Sequence, residues 1–419
     1  MEISAIGAIL ALLIAMILIL KKVEPTYAMI FGAIIGGLIG GGGLIETVQY
    51  MISGVQGIVS AIVRIVTAGV LAGVLIETGA AARIAETIIR KMGKKRALLA
   101  MMLATWCLTA VGVFGDVALI TVAPIAIQLA QRSGYKKLGV LMALVGGVKA
   151  GNVMSPNPNA IAASEAFGVP LTSTMMAGMV PAAAALLATA LISRALIHKG
   201  SDFGPLEETI SEKDLPSLFG AIAGPMVTIV LLLLRPLFGI TIDPLIALPI
   251  GGLTGILVMK KGKHTCFYLS SGLKKMNGVT MLLIGTGTLA GIITNSSLKD
   301  VIIGCIEQSG LPGFLLAPIS GMLMGAATAS STAGTTLGSQ IFGPTVMMSG
   351  ISAIAAAVMT HTGSFVFDGL PHGSFFHVSA GALNMEIRER LKLIGYEILN
   401  GIAMVITAVL VYGVLRIVG

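Results

Sequence analysis

The sequence predicts an all-α polytopic membrane protein built from two inverted-topology repeats with re-entrant hairpins and broken helices. Three observations carry that expectation: the composition, the placement of the basic residues, and an order of features that occurs twice. Of 419 residues, 55% are hydrophobic and 11% charged, with a mean hydropathy of +0.96. Soluble domains carry about 25% charged residues, so water is not the main solvent of this chain. Apolar stretches of about 20 residues recur from end to end, each long enough to cross roughly 30 Å of hydrocarbon. Abundant glycine (54) with few aromatics (5%) suits closely packed membrane helices interrupted by breaks.

Basic residues supply the topology, because translocating them is unfavourable. All but five of the 27 Lys and Arg residues fall in six clusters: Lys21-Lys22, Arg83 with Arg90 to Arg96, Arg132 to Lys137, Arg194 to Lys213, Lys260 to Lys275, and Arg388 to Lys392. Apolar segments are read at 3–20, 26–44, 55–78, 97–113, 115–131, 138–168, 175–196, 217–237, 241–259, 277–297, 311–328, 330–349, 351–384 and 393–417. Alternating from an outside N-terminus, every cluster lands inside, and the loops at 41–50, 169–174 and 350 lie outside. Both termini are therefore expected outside a bacterial cytoplasmic (inner) membrane crossed many times. Ile3 to Leu20 lacks the basic start and small-residue cleavage site of a signal peptide, so it reads as a retained helix. The amphipathic stretch 82–92 is expected along the inner surface.

The repeat is visible in four features. TAGVLAGVLIETG at 67–79 matches TGTLAGIITNSS at 286–297. Each is followed by a mixed stretch, a pair of apolar arms joined at a polar tip, and an apolar segment broken by a polar, proline-containing run. The tips are Val113 to Asp116 and Ala329 to Thr332; the breaks are Lys149 to Asn159 and Thr360 to His372. The expected organisation is scaffold helices at 1–50, a first repeat at 51–197 (hairpin 97–131, broken helix 138–168) and a cytoplasmic linker at 198–216. Linking scaffold helices at 217–259 and a second repeat at 260–419 (hairpin 311–349, broken helix 351–384) complete it. Because 55–78 runs inward and 277–297 outward, the repeats are inverted. That is the plan of secondary transporters, which bind substrate where discontinuous helices meet.

The candidate site follows from what membrane depth tolerates. Two prolines two residues apart, Pro156 and Pro158, force the backbone to unwind between Asn152 and Asn159. Unwound backbone is tolerated there only against protein or a watery cavity. Asn152, Ser155, Asn157 and Asn159 offer donors and acceptors for a hydroxylated substrate, and a helix starting near Ala160 would aim free N–H groups at a carboxylate. Lys149 is the only cation beside either break, and an ionised side chain at this depth costs about 2.5–3.5 kcal/mol, so it reads as an anion-attracting group. Ser330, Ser331 and Thr332 at the second tip, with Thr360 and Ser364 at the second break, complete the substrate-binding set. Asp116, Asp368, His361 and His372 are the proton-coupling candidates, since histidine titrates near neutrality and intramembrane acids carry protons. Arg64, inside the third segment, is expected to pair with an acid or face a cavity.

Several classes are excluded. There is neither a GxxxxGK[ST] loop nor an HExxH motif, so neither ATP-driven pumping nor zinc hydrolysis is expected. Cys107, Cys266 and Cys305 have no metal or disulfide spacing, and no cofactor or metal is expected. The net charge of +8 is explained by topology, so no nucleic acid is expected as a partner.

The runs GGVKAGNVMSPNPNAIAASEAF and FDGLPHGSFFH resemble the gluconate:proton symporter (gluconate permease) family of the ion-transporter superfamily. The resemblance covers nearly the whole chain in length, hydropathy and repeat order, the first run being the more specific. It implies proton-coupled uptake of a sugar acid such as gluconate, or of a similar small organic anion. It also implies a homodimer whose hairpin-bearing part moves as an elevator against a fixed scaffold. Sodium-coupled carriage of di- or tricarboxylates, or ion antiport, is the alternative, since the hydroxyls of 330–332 would also coordinate sodium. Neither reading makes the chain an enzyme.

Overall fold

The computed structural model describes residues 2–21, 23–93, 96–204, 215–298, 301, 304, 308 and 312–417. Among them the only strand-type pairing is an isolated bridge between Ile3 and Ser296. That bridge sets the start of the chain beside the end of the helix holding 286–294, at one face of the molecule.

The N-terminal helices α1 (Ala5–Leu20) and α2 (Pro25–Ile39) pack on each other. Next comes α3 (Leu44–Gln56), where a loop is expected at 41–50. The reason lies in its pattern: Thr47 and Met51 are buried while Leu44, Ile45, Val48 and Ile52 are exposed on the opposite face. An amphipathic helix of this kind seats at an interface although it is too polar to score as a crossing. After α4 (Val59–Glu77), the expected amphipathic segment forms α5 (Ala80–Met92) and buries Ala81, Ile84, Ala85 and Ile89.

The first hairpin is α6 (Ala97–Ala110) and α7 (Gly115–Ser133); the first broken helix is α8 (Lys137–Asn152) with α9 (Pro158–Ala166), and α10 (Leu171–Ala195) follows. The expected linker at 198–216 is described only at its ends, and 205–214 lie outside the described residues. Helices α11 (Leu218–Phe238) and α12 (Pro244–Val258) lead to α13 (Thr265–Thr294). The order then recurs. A hairpin of α14 (Leu316–Thr328) and α15 (Ser331–Met348) precedes a broken helix of α16 (Ala353–Ser364) and α17 (Ser374–Ala382). The short α18 (Ile387–Leu391) leads into α19 (Ile394–Ala408), which runs on through a wider turn to Val414.

Among the described residues five helical stretches, at 59–77, 171–195, 218–238, 262–294 and 387–414, are long and apolar enough to cross a membrane. The first arm of each hairpin is shorter. At 1.5 Å per residue α6 and α14 reach about 20 Å, less than the roughly 30 Å of hydrocarbon. Both tips turn through a left-handed residue, Gly112 (φ 96°) and Ala329 (φ 46°). Alanine pays a steric penalty there that glycine does not.

Packing between the halves is reciprocal. α4 lies against α13, and α10 against α19. The second arm of each hairpin packs on the far half of the other repeat's broken helix, α7 on α17 and α15 on α9. Inside this frame α8 is buried from Lys137 to Gly151, and α16 from Ala355 to Ser364. The two least accessible helices are therefore the two that break.

Candidate functional site

Both hairpin tips and both breaks meet at one cavity of about 230 Å³. The first tip brings Phe114, Gly115 and Asp116, and the second brings Ala329, Ser330, Ser331 and Thr332. Lys149, Asn152, Asn157 and Asn159 come from the first break and Asp368 from the second, while Gly278, Val279 and Leu282 of α13 close one side. Nine of the expected site residues thus converge from segments far apart in the chain.

Lys149 sits in the last turn of α8, where the carbonyl end of the helix favours a cation. Its Nζ lies 2.7 Å from Asp368 Oδ1 and 3.9 Å from Glu397 Oε2, and donates to the Phe365 carbonyl at 2.8 Å. Arg390 pairs with the other oxygen of Glu397, donates from Nε to Ser379 Oγ at 2.9 Å and lies over the Phe376 ring at 4.8 Å. None of these four charged side chains is more than 9% exposed. No described donor is aligned for a hydrogen bond to either oxygen of Glu397, so charge rather than directional bonding holds it. A Cβ on Gly369 would lie 2.2 Å from Glu397 Oε2, so the chain beside Asp368 must be glycine for Glu397 to approach. Lys149 is therefore a cation already matched by an acid.

The helix ends also differ from expectation. Asn157 is the N-cap of α9, its Oδ1 accepting from the N–H groups of Asn159 (2.9 Å) and Ala160 (3.1 Å), and its carbonyl accepting from Ile161. The donors expected near Ala160 are taken by the cap, as an asparagine before a Pro-led helix favours. Free donors lie instead at the second hairpin tip. Ser330 caps α15 by accepting from Ala333 N–H, and among the described residues the N–H groups of Ser331 and Thr332 have no acceptor. Thr332 Oγ1 donates to Asn159 Oδ1 at 2.6 Å, tying that tip to the first break.

Other candidates stand outside the cavity or, for Asp116, at its rim. Ser155 is buried and accepts from Asn157 Nδ2 at 2.8 Å, bracing the break from behind. Ser364 and Thr335 join hydroxyls at 2.7 Å, fastening α16 to α15. Thr360 is buried, and its hydroxyl has no described partner. His361 is fully buried against Phe365, with neither ring nitrogen partnered among the described residues. His372 is exposed, its Nε2 3.1 Å from the Ala326 carbonyl. Asp116 lies at the exposed rim and accepts from Val117 N–H at 2.8 Å. The sequence reading missed Arg390, which was absorbed into a basic cluster, and Glu397. A lone acid in the apolar run 393–417 is the signal that points to Glu397.

Arg64 finds the acids expected of it. It lies 2.8 Å from Glu165 and 2.7 Å from Asp243, and Ser60 also donates to Glu165. Arg64, Glu165 and Asp243 line a separate cavity of about 250 Å³ with Arg235, whose guanidinium reaches Thr172 Oγ1 at 3.5 Å. Asp243, in the loop before α12, is pushed up by burial, but hydrogen bonds from Arg64 and from Leu245 N–H hold its carboxyl below the usual aspartate range.

Comparison with known proteins agrees with this architecture. The family model for GntP permeases matches residues 1–418. The chain is 55% identical to an uncharacterized transporter of Haemophilus influenzae over 415 residues, covering 99% of each. With a gluconate permease of Pseudomonas aeruginosa it shares 26% identity, covering 88% of each. Among solved structures it is similar to the YdaH transporter of Alcanivorax borkumensis, with a TM-score of 0.66 at 14% identity, over 88% of this chain and 89% of that one. The fold is shared with YdaH, and the match along the full length decides the family: this chain belongs to the GntP family of permeases and is an integral, multi-pass membrane protein.

Proposed function

We propose that the chain carries a small hydroxylated organic anion, such as gluconate, inward across the bacterial cytoplasmic membrane together with one proton. The observation behind this reading is the Lys149–Asp368 pair on the cavity wall. With Asp368 ionised, Lys149 is neutralised and an entering carboxylate meets a negative neighbour. A proton on Asp368 cancels that charge and leaves the ammonium for the substrate. Each ligand then favours binding of the other by the same factor, as linkage requires.

Charge counting supports a stoichiometry. Lys149 and Arg390 balance Asp368 and Glu397, so the buried network is neutral, while Asp116 stands outside it at the exposed rim. One proton and one monoanion also sum to zero, and the loaded site stays neutral. Since an unbalanced charge at membrane depth is costly, empty and loaded carriers can both reorient without drawing on the membrane potential.

The carboxylate is met by Lys149 and the free N–H groups of Ser331 and Thr332. The substrate hydroxyls are met by Asn152, Asn157, Asn159 and the side chains of Ser330 to Thr332. Ser155, Thr360 and Ser364 hold these elements in place. Asp368 is the proton carrier of choice because it touches both the cavity and the cation, whereas Asp116 is exposed and His361 and His372 stand apart. In this reading the repeats are inverted, both hairpins re-enter, both termini face outward, and α6–α10 with α14–α19 move as an elevator against α1–α4 and α11–α13. The small cavity, below the roughly 300–1,000 Å³ of pockets for drug-sized ligands, suits a small acid.

The test is uptake of labelled gluconate into proteoliposomes under an imposed inward proton or sodium gradient. Accumulation driven by the proton gradient alone is expected. Accumulation that follows sodium and ignores protons would replace this reading with the sodium-coupled one.

A further inference from the structure

We propose that the groove between the start of α6 and the end of α10 binds one anionic phospholipid from the leaflet at the basic end of the molecule. The groove has a volume of about 450 Å³ and lies far along α6 from the hairpin tip. Arg96, Arg194 and Tyr135 reach it from three separate places: the N-cap of α6, the last turn of α10, and the loop between α7 and α8. Among the described residues none of these three side chains has a hydrogen-bond or ion-pair partner. Elsewhere at this end, Arg83 and Arg90 are matched by Glu86, and Lys136 by Asp202. Both arginines are exposed, and what sets them apart is that two guanidiniums face one groove, where paired Arg forks suit phosphate oxygens.

The apolar walls suit an anion that carries a tail. Deeper than the arginines the groove is lined by Leu99 and Met102 of α6 and by Ala190 of α10. Leu187 and Leu191, outside the lining but on the same helix as Ala190 and Arg194, are 67% and 66% exposed. Leu187, Leu191 and Arg194 follow at i, i+4 and i+7, so they form one stripe running from the apolar face up to the guanidinium. Arginine and tyrosine at helix ends mark the headgroup level of a bilayer. A free phosphate would use the top of this site and leave the apolar wall bare. A phospholipid uses both. A zwitterionic headgroup brings its own cation to compete with the two arginines, so an anionic one is favoured. Seated there, the lipid bridges a hairpin arm to α10, a contact that lies outside the substrate cavity and is independent of which anion is carried.

Native mass spectrometry of the purified full chain tests the assignment. Phosphatidylglycerol and phosphatidylcholine with the same acyl chains are titrated onto wild type, Arg96→Gln/Arg194→Gln and Arg132→Gln. Arg132 is an exposed arginine at the same end that does not line the groove. Wild type is expected to retain one phosphatidylglycerol in preference to phosphatidylcholine. The double variant should bind it about thirtyfold more weakly, corresponding to about 2 kcal/mol at roughly 1 kcal/mol per basic residue. Arg132→Gln should bind as wild type does, which also shows that a changed net charge is not the cause. Equal retention of both lipids, an equal loss in Arg132→Gln, or displacement of the lipid by millimolar inorganic phosphate would each overturn the proposal.

Discussion

Among the described residues two ion networks of three or more charged groups join distant helices, and they differ in their access to water. The central one, Lys149–Asp368 with Arg390–Glu397, is closed, its side chains no more than 9% exposed. The other, Arg64 between Glu165 and Asp243, has side chains 23%, 24% and 38% exposed. Both tie a broken helix to something else: α8 to the second break in the first case, α9 to α4 and the start of α12 in the second. Water can replace either partner of the exposed pair at little cost, so such a pair is worth about 0–1 kcal/mol. In the closed network nothing replaces a lost partner except another ion or a proton. The exposed network can only fasten, whereas the closed one can exchange a proton for an anion.

The sharpest way to break that contrast is to remove one buried charge. Lys149→Gln leaves Asp368 facing Glu397 without a counter-ion beside it, and should cost about 3–5 kcal/mol of stability, read by thermal unfolding in detergent. Lys149→Gln/Asp368→Asn should regain most of that stability while gluconate binding stays lost. A single variant as stable as wild type would show that the pair is not desolvated. Away from the cavity, Arg390→Gln should destabilise by a similar amount, and Arg390→Gln/Glu397→Gln should recover stability and also keep gluconate affinity within about threefold, since neither group lines the cavity. Loss of affinity in that pair would move Arg390 into the binding site.

A smaller effect is expected at the second tip. Thr332→Ala removes the bond to Asn159 and one hydroxyl, worth about 0.5–1.5 kcal/mol, so KM for gluconate should rise several-fold with kcat little changed. An unchanged KM would place the substrate elsewhere. The smallest effects belong to the exposed network. Asp243→Asn should cost at most about 1 kcal/mol, less in high salt. Because the folded carboxyl titrates below its unfolded value, its contribution is present above about pH 3.9 and fades as pH falls further. The pH profile of uptake near neutrality should therefore be the same in Asp243→Asn and wild type; a shifted profile would bring this network into the coupling.

Much of this arrangement was legible because it leaves local marks. Prolines 156 and 158 announce the first break, the hydroxyl run at 330–332 the second tip, and Arg64 in an apolar segment its need for an acid. What could not be read was pairing. Nothing near Lys149 says that Asp368 lies 2.7 Å away, because that contact exists only once the two broken helices are packed side by side. Arg390 was hidden by its neighbours, since RERLK reads as a surface cluster, yet one of its arginines turns inward to Glu397. Asn157 is expected from the sequence among the substrate ligands, and its position before Pro158 adds the role of helix cap, which the residue types alone do not announce. At α3 the amphipathic pattern is too short and too polar to read as a crossing, which is why the sequence predicts a loop where the helix stands.

The central claim is that Asp368 makes transport depend on a proton. Its most direct measurement compares wild type with Asp368→Asn in proteoliposomes, with the membrane potential clamped at zero. The two readouts are accumulation of labelled gluconate under an inward proton gradient and gluconate–gluconate exchange with no gradient. Wild type is expected to accumulate and to exchange. Asp368→Asn, a permanent mimic of the protonated acid that leaves Lys149 free for the substrate, should still exchange but no longer accumulate. Accumulation by Asp368→Asn at the wild-type level would contradict the account, and the proton would have to be carried by another group.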